Sequence, residues 1–447
     1  MKAVVLGGGI AGLSTGIELA RLGLTVDVVE GAPAPGGLAG GFRDRGYTFD
    51  FFSHRLWTRD DEVKALLREW TGRPLVARQK VSRILLDGRF YHYPIDLRDA
   101  LAGRSLAMAA RALAGYAGAR LAASPGGDDF RSHIVSRFGA SLFDTFFGPY
   151  TEKLFGCPPD QISADVAVSA VPASGIVLQF LRRLWGAADP WDDFLYPEGG
   201  FLGIPEGMAR ALEASGGRLR LRHRAVGAHV RSGRISAIEL TGPDGRVELP
   251  ADVVISTVPL RALVGMLGPA APPGAADDAA ALKTRAMVAV YLGIRRPQVT
   301  RDHWIYVPDP AIRFNRVSET VNYDAGMAPA GRTGLCLEIA CDAGDAVWRE
   351  SDEAQTARAT DDLVRLGLLS SPAEVEHAWT HRAAAAYPVF GIGYRPPLAR
   401  LFAGLGAISN LYFCGRQGAF EYGSVAQGVR WGIDLARLVA GTRRAAA

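Results

Sequence analysis

The sequence predicts an α/β fold in which one domain is assembled from separate stretches of chain and a second domain is inserted between them. Near the N-terminus an apolar run, Lys2–Leu6, leads through a glycine-rich turn into a segment with helical periodicity. The next apolar run ends in an acidic residue, Glu30, and further strand-like runs with turn residues return much later in the chain. This order of strand, glycine turn, helix and acidic strand end is typical of a Rossmann-type dinucleotide-binding domain.

The glycine-rich turn has the spacing that a dinucleotide pyrophosphate requires. Gly7 permits the tight turn, Gly9 lets the backbone approach the pyrophosphate, and Gly12 lets helix and strand pack closely. The helix begins at Ile10 and Ala11, where free N–H groups and the positive end of the helix dipole favour a phosphate. These five residues are therefore predicted to bind the cofactor.

Two further features belong to the cofactor site, and the second of them favours FAD over NAD. Glu30 ends the second strand and is placed to accept hydrogen bonds from the adenosine ribose. A second glycine pair, Gly36-Gly37, is followed by Leu38; in flavoproteins with two dinucleotide-type domains, backbone at this position runs beside the flavin and its pyrophosphate. An ordinary Pro/Gly loop is the alternative for this pair. We predict FAD as the cofactor, with these four residues among its contacts.

The remaining elements follow from periodicity and turn residues. Residues 61–67 have helical spacing, and 84–93 are predicted to form a hairpin with Asp-Gly at its turn. Residues 96–190 are predicted to be mostly helical and aromatic, whereas short strands recur over 220–255 and again over 285–395. The chain closes with a short strand, a glycine turn and a long helix.

This pattern divides the chain into two discontinuous domains. The predicted FAD-binding domain comprises residues 1–75, 200–265 and 400–447. The predicted substrate domain, of α+β type, comprises 76–199 and 266–399 and supplies helices and a second sheet. Ligands of such open α/β folds bind over the carboxyl ends of the parallel strands, so the substrate is expected at the domain interface.

Composition limits the partners that the chain could have. At 447 residues it is too long for one ordinary core, and 48% hydrophobic with 21% charged residues describes a globular protein. The net charge of +4 gives no basis for binding nucleic acid. The four cysteines are scattered and lack metal-ligand spacing, so no metal site is predicted. A disulfide framework is also not expected, which favours a reducing, cytoplasmic location.

Membrane contact is also not expected. No apolar run of about 18 residues is present, so a transmembrane span is not predicted. The alanine-rich stretch Leu101–Ala122, which contains Arg104, Arg111 and Arg120, could be an amphipathic helix at a membrane surface, but a solvent-facing helix is favoured. The expected partner is a small-molecule substrate, and the oligomeric state is not predicted.

Several segments carry more specific motifs. They are Phe51–Thr58 with its His-Arg pair, Tyr91–Ile95, Arg137–Gly156, Ile162–Asp165, Tyr196–Phe201 and Ile204–Met208. Together they resemble the FAD-containing superfamily of amine oxidases, protoporphyrinogen oxidases and UDP-galactopyranose mutases, and in particular a bacterial branch described as protoporphyrinogen-oxidase-like or mutase-like. The resemblance covers nearly the whole chain. It implies that backbone groups of Val226 hold adenine and that the Gly415-Arg416 turn completes the flavin site, with Arg416 near the pyrophosphate.

Candidate catalytic residues lie on the loop after the second glycine turn. His54 and Arg55 are predicted to face the isoalloxazine, where His54 could relay a proton and Arg55 could stabilise an anionic substrate or reduced flavin. The alternative is that His54 only bonds to backbone and Arg55 forms an ion pair.

Aromatic and charged residues of the substrate domain are further candidates. Tyr306 and Arg316, with Trp304, fall in strands that should face the ligand cavity, although the same alternation is compatible with core packing. Tyr150, Glu152 and Lys153 form a polar group in an aromatic helix. For that group the favoured interpretation is structural, with Glu152 and Lys153 satisfying buried partners.

Three functions are consistent with this sequence. The leading hypothesis is an FAD-dependent oxidoreductase that oxidises a small polar amine- or sugar-containing metabolite by hydride transfer to flavin N5. The first alternative is a redox-neutral flavoenzyme that resembles UDP-galactopyranose mutase and acts on a nucleotide sugar. The second is a non-catalytic binding protein similar to the Rab GDP-dissociation inhibitors.

Overall fold

The computed structural model describes residues 1–86, 88–93, 127–170 and 193–444, together with a few single positions between 110 and 121. Its strands are β1 (Lys2–Leu6), β2 (Thr25–Val29), β3 (Gly41–Asp44), β4 (Tyr47–Asp50), β5 (Leu75–Gln79), β6 (Ser82–Leu86), β7 (Arg89–His92), β8 (Asp193–Pro197), β9 (Arg218–Arg220), β10 (Arg224–Arg231), β11 (Arg234–Gly242), β12 (Gly245–Pro250), β13 (Val253–Ser256), β14 (Thr284–Ile294), β15 (Trp304–Tyr306), β16 (Arg316–Glu319), β17 (Thr333–Cys341), β18 (Val375–Pro388) and β19 (Leu411–Phe413).

Helices connect and cover these strands. They are α1 (Ile10–Arg21), α2 (Asp61–Thr71), α3 (Phe130–Phe138), α4 (Ala140–Leu142), α5 (Gly148–Phe155), α6 (Asp165–Ala170), α7 (Gly203–Ala214), α8 (Leu260–Leu267), α9 (Ala275–Ala281), α10 (Ala346–Arg349), α11 (Asp352–Arg365), α12 (Arg395–Leu405), α13 (Gly415–Gly418) and α14 (Val425–Arg444). A π-helical turn, Phe143–Phe147, joins α4 to α5. Such turns often occur at functional sites.

A parallel sheet of five strands in the order β19-β13-β1-β2-β9 confirms the predicted α/β fold class. Its strands come from three widely separated parts of the chain. Ala3 and Val5 of β1 pack towards α1, α7 and α14, whereas Val4 and Leu6 pack towards α8 and the antiparallel sheet β10-β11-β12. Both faces of the central strand are therefore buried, as expected for a doubly wound sheet.

The second large sheet has seven strands in the order β18-β14-β17-β16-β15-β6-β7. The predicted hairpin over 84–93 is confirmed as β6 and β7, and it joins the later strands of this sheet through a parallel pairing of β6 with β15. One face packs on α11, and the opposite face carries the aromatic side chains of β4. That opposite face also carries Arg316 and Glu338, so it is the face that forms the candidate site.

Other predicted elements can be compared directly with the structure. The helix predicted over 61–67 is α2, and the strands predicted over 220–255 are β10 to β13. The stretch 101–122 lies mostly outside the described residues. Within the described ranges, no helix is long and apolar enough to cross a membrane, and no group of three or more His, Cys, Asp or Glu side chains could hold a metal ion.

Candidate active site

The two predicted glycine turns lie side by side. Gly9 and Gly36 form a parallel bridge, and the Gly36 N–H donates to the Gly8 carbonyl at 2.8 Å. A Cβ atom on Gly12 would lie 2.0 Å from the Gly7 carbonyl oxygen, so only glycine lets α1 pack this closely on the turn. The turn and the helix are therefore held in one fixed arrangement.

Space remains open in front of α1. Among the described residues, a Cβ atom on Gly9 would meet only the Gly36 carbonyl oxygen, 3.9 Å away, so their packing does not require glycine there. Gly9 is also the N-cap of α1, and no side chain caps the first N–H groups of this helix. An open cradle at an uncapped helix N-terminus fits a pyrophosphate.

A cavity of about 450 Å³ lies beside the cradle, within the range of roughly 300–1,000 Å³ for small-molecule sites. Glu30 lies at its edge, and its carboxylate accepts from the N–H groups of Gly8 and Ala32, both at 2.8 Å. Val226 does not line this cavity, although Ala225 does. Val226 lies at a β-bulge, without a partner residue on β11, and the residue is 40% exposed. The adenine contact at Val226 stays a prediction.

The third glycine segment meets the first. Gly415 follows β19 with φ of 78°, and a Cβ atom there would lie 2.9 Å from that of Ala11. The Arg416 guanidinium donates to the carbonyls of Ala386 at 3.2 Å and Gly423 at 2.7 Å. Arg416 thus ties β18 to the loop before α14, and its predicted contact with the pyrophosphate stays a prediction.

On the substrate side, a buried ion pair joins β16 to β17. Arg316 and Glu338 are directly opposite each other, and the guanidinium donates to both carboxylate oxygens at 2.9 and 2.7 Å. Glu338 is 1% exposed and also accepts from the Ser53 N–H at 2.8 Å. The pair therefore connects the sheet to the loop that carries His54.

Tyrosines surround this ion pair. The Tyr306 ring lies edge-on to Tyr150 at 5.4 Å and to Tyr93 at 5.2 Å. Tyr387 and Tyr422 stack at 5.9 Å, and the buried Tyr422 hydroxyl has no hydrogen-bond partner among the described residues. Burial raises the pKa of Tyr422 well above its usual range, so the hydroxyl remains a neutral donor.

A family model described as flavin containing amine oxidoreductase matches residues 10–440. The chain belongs to this family. Reduced UDP-galactopyranose mutase superposes with a TM-score of 0.83 at 21% identity, covering 99% of this chain and 96% of that chain. A protein proposed to be a protoporphyrinogen oxidase, from Exiguobacterium sp. 255-15, gives a TM-score of 0.73 at 18% identity, covering 98% of both chains. Putrescine oxidase bound to putrescine gives 0.66 at 18% identity, covering 99% of both. No curated protein matches the sequence.

Membership of the flavin containing amine oxidoreductase family confirms the predicted resemblance, the FAD cofactor and the oxidoreductase class. The residues present fit FAD. The cradle at Gly9 would hold the pyrophosphate, and the cavity beside Glu30 would hold the adenosine. Gly36-Gly37, Leu38 and Gly415 would line the flavin end of the site.

Among the predicted catalytic residues, His54 shows the backbone role that was its alternative. Its Nε2–H donates to the Leu38 carbonyl at 2.7 Å, and its ring lies 5.1 Å from Phe201. Burial lowers the pKa of His54 to about 4, and the nearby guanidiniums of Arg416 and Arg316 contribute to the decrease. His54 is therefore neutral and joins its own loop to Leu38 beside the second glycine turn, and its proton relay stays a prediction. Arg55 is exposed, with its guanidinium 5.3 Å from the ring of Trp304.

The structure also corrects or extends other predictions about the substrate side of the site. The interpretation that Glu152 satisfies a buried partner is wrong, because Glu152 is exposed. Tyr306 and Arg316 lie together near Tyr150, and Trp304 is buried in the core. Sequence analysis missed Glu338. A lone carboxylate in the otherwise apolar strand Thr333–Cys341 was the signal that could have found it.

A small cavity behind the ion pair contains a titratable group with a strongly shifted pKa. Asp50, at the end of β4, accepts from the Tyr196 hydroxyl and from the Leu202 N–H at 3.1 Å. Burial raises the pKa of Asp50 from 3.8 to about 6, although both hydrogen bonds and Arg43 oppose the change. The folded protein therefore holds this proton at a pH where the unfolded chain has lost it.

This shift predicts that the stabilising effect of protonated Asp50 is lost as the pH rises through about 6. The substitution Asp50→Asn removes the titration, so the variant is expected to gain stability relative to wild type by about 2 kcal/mol between pH 4 and pH 8. Urea unfolding at both pH values measures the difference. Asp244→Asn, at an exposed turn, is the matched control. An unchanged difference between D50N and wild type across this range contradicts the prediction.

Proposed function

We propose that this flavin-dependent oxidoreductase acts on an anionic, hydroxylated metabolite of the phosphorylated or nucleotide-linked sugar type. The observation that carries this proposal is the charge balance around the predicted flavin edge. Arg316 and Glu338 neutralise each other, whereas the Arg416 guanidinium donates only to the Ala386 and Gly423 carbonyls and has no carboxylate partner among the described residues. Excess positive charge in a partly buried site favours an anion over an ammonium group.

The side chains around this charge fit a sugar better than an alkyl amine. The hydroxyls of Tyr150, Tyr306 and Tyr422 would donate to oxygen atoms, and the half-buried rings would pack on a sugar ring or a base. When bound, FAD supplies the acceptor for a hydride from the substrate carbon. The protein's part is to orient that carbon and to exclude water, as the closely packed tyrosines allow.

An anaerobic titration of the FAD-loaded protein tests this substrate class. UDP-galactose, UDP-glucose and glucose 6-phosphate are compared with putrescine and spermidine while the flavin absorbance is recorded. We expect the flavin bands to bleach with one or more of the sugars and to remain with both amines. Bleaching with an amine and with none of the sugars would overturn the proposal.

A redox-neutral rearrangement of a nucleotide sugar is a second candidate, and one observation favours it. Oxidation of a hydroxyl requires a base for the proton, and two candidates near the tyrosines, His54 and Lys153, are both hydrogen-bonded to backbone carbonyls. His54 has a pKa of about 4 and donates to Leu38, and the Lys153 ammonium donates to three carbonyls. Conversion of UDP-galactose by dithionite-reduced protein, with no reaction in the oxidised form, would support this candidate.

A further inference from the structure

Lys153 lies on α5, one helical turn after Tyr150, and its side chain points into the protein. The ammonium donates to the carbonyl oxygens of Val307 at 2.8 Å, Asp309 at 2.8 Å and Phe314 at 2.7 Å. An ammonium group has three N–H donors, and each of them has an acceptor here. Burial lowers the pKa of Lys153 to about 7, but only the charged form has three donors, and bonds from a charged donor are stronger than those between neutral groups, so the three carbonyls favour the ammonium.

All three acceptors belong to one segment, residues 307–314, which connects β15 to β16. Tyr306 immediately precedes this segment, and Arg316 follows it by two residues. The bonds therefore join the helix that carries Tyr150 to both ends of the connection between the strands that carry Tyr306 and Arg316. Tyr150 and Tyr306 are in edge-on ring contact across the same junction.

We propose that Lys153 is a positioning residue of the substrate site, whose ammonium fixes Tyr306 and Arg316 relative to Tyr150. Its remaining bonds among the described residues run to α11, to Glu350, to the adjacent Asn315 and within the loop itself, and a hydrogen bond between the side chains of Tyr150 and Asn315 is a second link to α5. The Arg313 N–H donates to Asp362 at 2.6 Å, and the Ala311 N–H donates to Asp309 at 2.8 Å. Without the ammonium, the carbonyls of Val307, Asp309 and Phe314 lose a shared donor on α5.

Hydrogen exchange of the FAD-loaded protein tests this role without a substrate. In Lys153→Met, an apolar chain of similar length, we expect amides over 304–316 to exchange at least about tenfold faster than in wild type. Exchange in the parallel sheet and FAD affinity should remain unchanged. Lys283→Met, at an exposed lysine, is the matched control. Wild-type exchange over 304–316 in K153M would overturn the proposal, and so would faster exchange spread evenly over the whole chain.

Ligand affinity gives a second readout, which rests on the proposed function. UDP binding to the FAD-loaded protein is followed by the change in flavin absorbance, and K153M is expected to weaken it by about tenfold, with FAD affinity unchanged. A parallel loss of both affinities would indicate general destabilisation and overturn the proposal. If wild type does not bind UDP, the proposed function fails while the exchange experiment still decides the role of Lys153.

A shorter variant covers the case in which K153M does not fold. Lys153→Ala leaves room for an added alkylammonium ion, so propylammonium chloride should slow exchange over 304–316 in K153A and leave Lys283→Ala unaffected. Exchange in K153A that does not respond to propylammonium would overturn the proposal.

Discussion

Substitution of Glu338 by alanine is expected to destabilise the protein by about 3–5 kcal/mol, the usual cost of leaving one partner of a buried ion pair uncompensated. The guanidinium of Arg316 would lose two charge-assisted hydrogen bonds, and the Ser53 N–H would lose its acceptor. The midpoint of urea unfolding at pH 7 measures the effect. Glu248→Ala, on the exposed side of β12, is the matched control and should change the midpoint little.

A double substitution distinguishes the cost of an uncompensated buried charge from the cost of lost side-chain volume. Replacing Arg316 and Glu338 together by leucine removes both charges, and such exchanges in buried pairs are often neutral. We therefore expect the double variant to unfold at a higher urea concentration than E338A. A double variant less stable than E338A would contradict this account of the pair. An E338A midpoint equal to that of wild type would contradict the prediction itself.

Two alanine substitutions in the first glycine turn are expected to affect different properties, one the affinity for FAD and the other the stability of the fold. Gly9→Ala places its methyl group in open space, so folding should change by less than about 1 kcal/mol, whereas FAD affinity should fall by at least about tenfold. Gly12→Ala places its methyl group 2.0 Å from the Gly7 carbonyl, so the apoprotein should be destabilised before any cofactor binds. The two variants thus distinguish the glycine that cofactor binding requires from the glycine that folding requires.

Thermal unfolding of the apoproteins and FAD titration by fluorescence quenching check this pair of variants. G9A should match the wild-type midpoint and fail to retain flavin through purification, whereas the midpoint of G12A should decrease. Wild-type FAD affinity in G9A would show that the cradle in front of α1 does not hold the pyrophosphate.

The features that sequence predicted well are those governed by local backbone geometry. Gly7, Gly9 and Gly12 have a fixed spacing because a tight turn and a close helix impose it, and the hairpin over 84–93 follows from turn residues in the same way. Those constraints act over a few residues, so they remain visible in a single sequence.

Other parts depended on contacts that no local pattern records. The pairing of Arg316 with Glu338 follows from the register of β16 on β17, which is fixed only when the whole sheet forms. The acceptors of Lys153 are backbone carbonyls, which any residue could supply. His54 was predicted to act at the flavin because its residue type suits proton transfer, yet its short bond to Leu38 depends on how two loops approach each other.

The order of strands in the parallel sheet has a consequence for synthesis of the chain. β19 and Gly415, which pack beside β13 and against Ala11, follow β1 by about 400 residues. Because chains emerge from the ribosome at roughly 5–20 residues per second, the glycine turn after β1 emerges at least about 20 seconds before Gly415. Flavin capture should thus occur only after the segment around Gly415 has emerged, and chains that stop before residue 410 should leave the ribosome colourless.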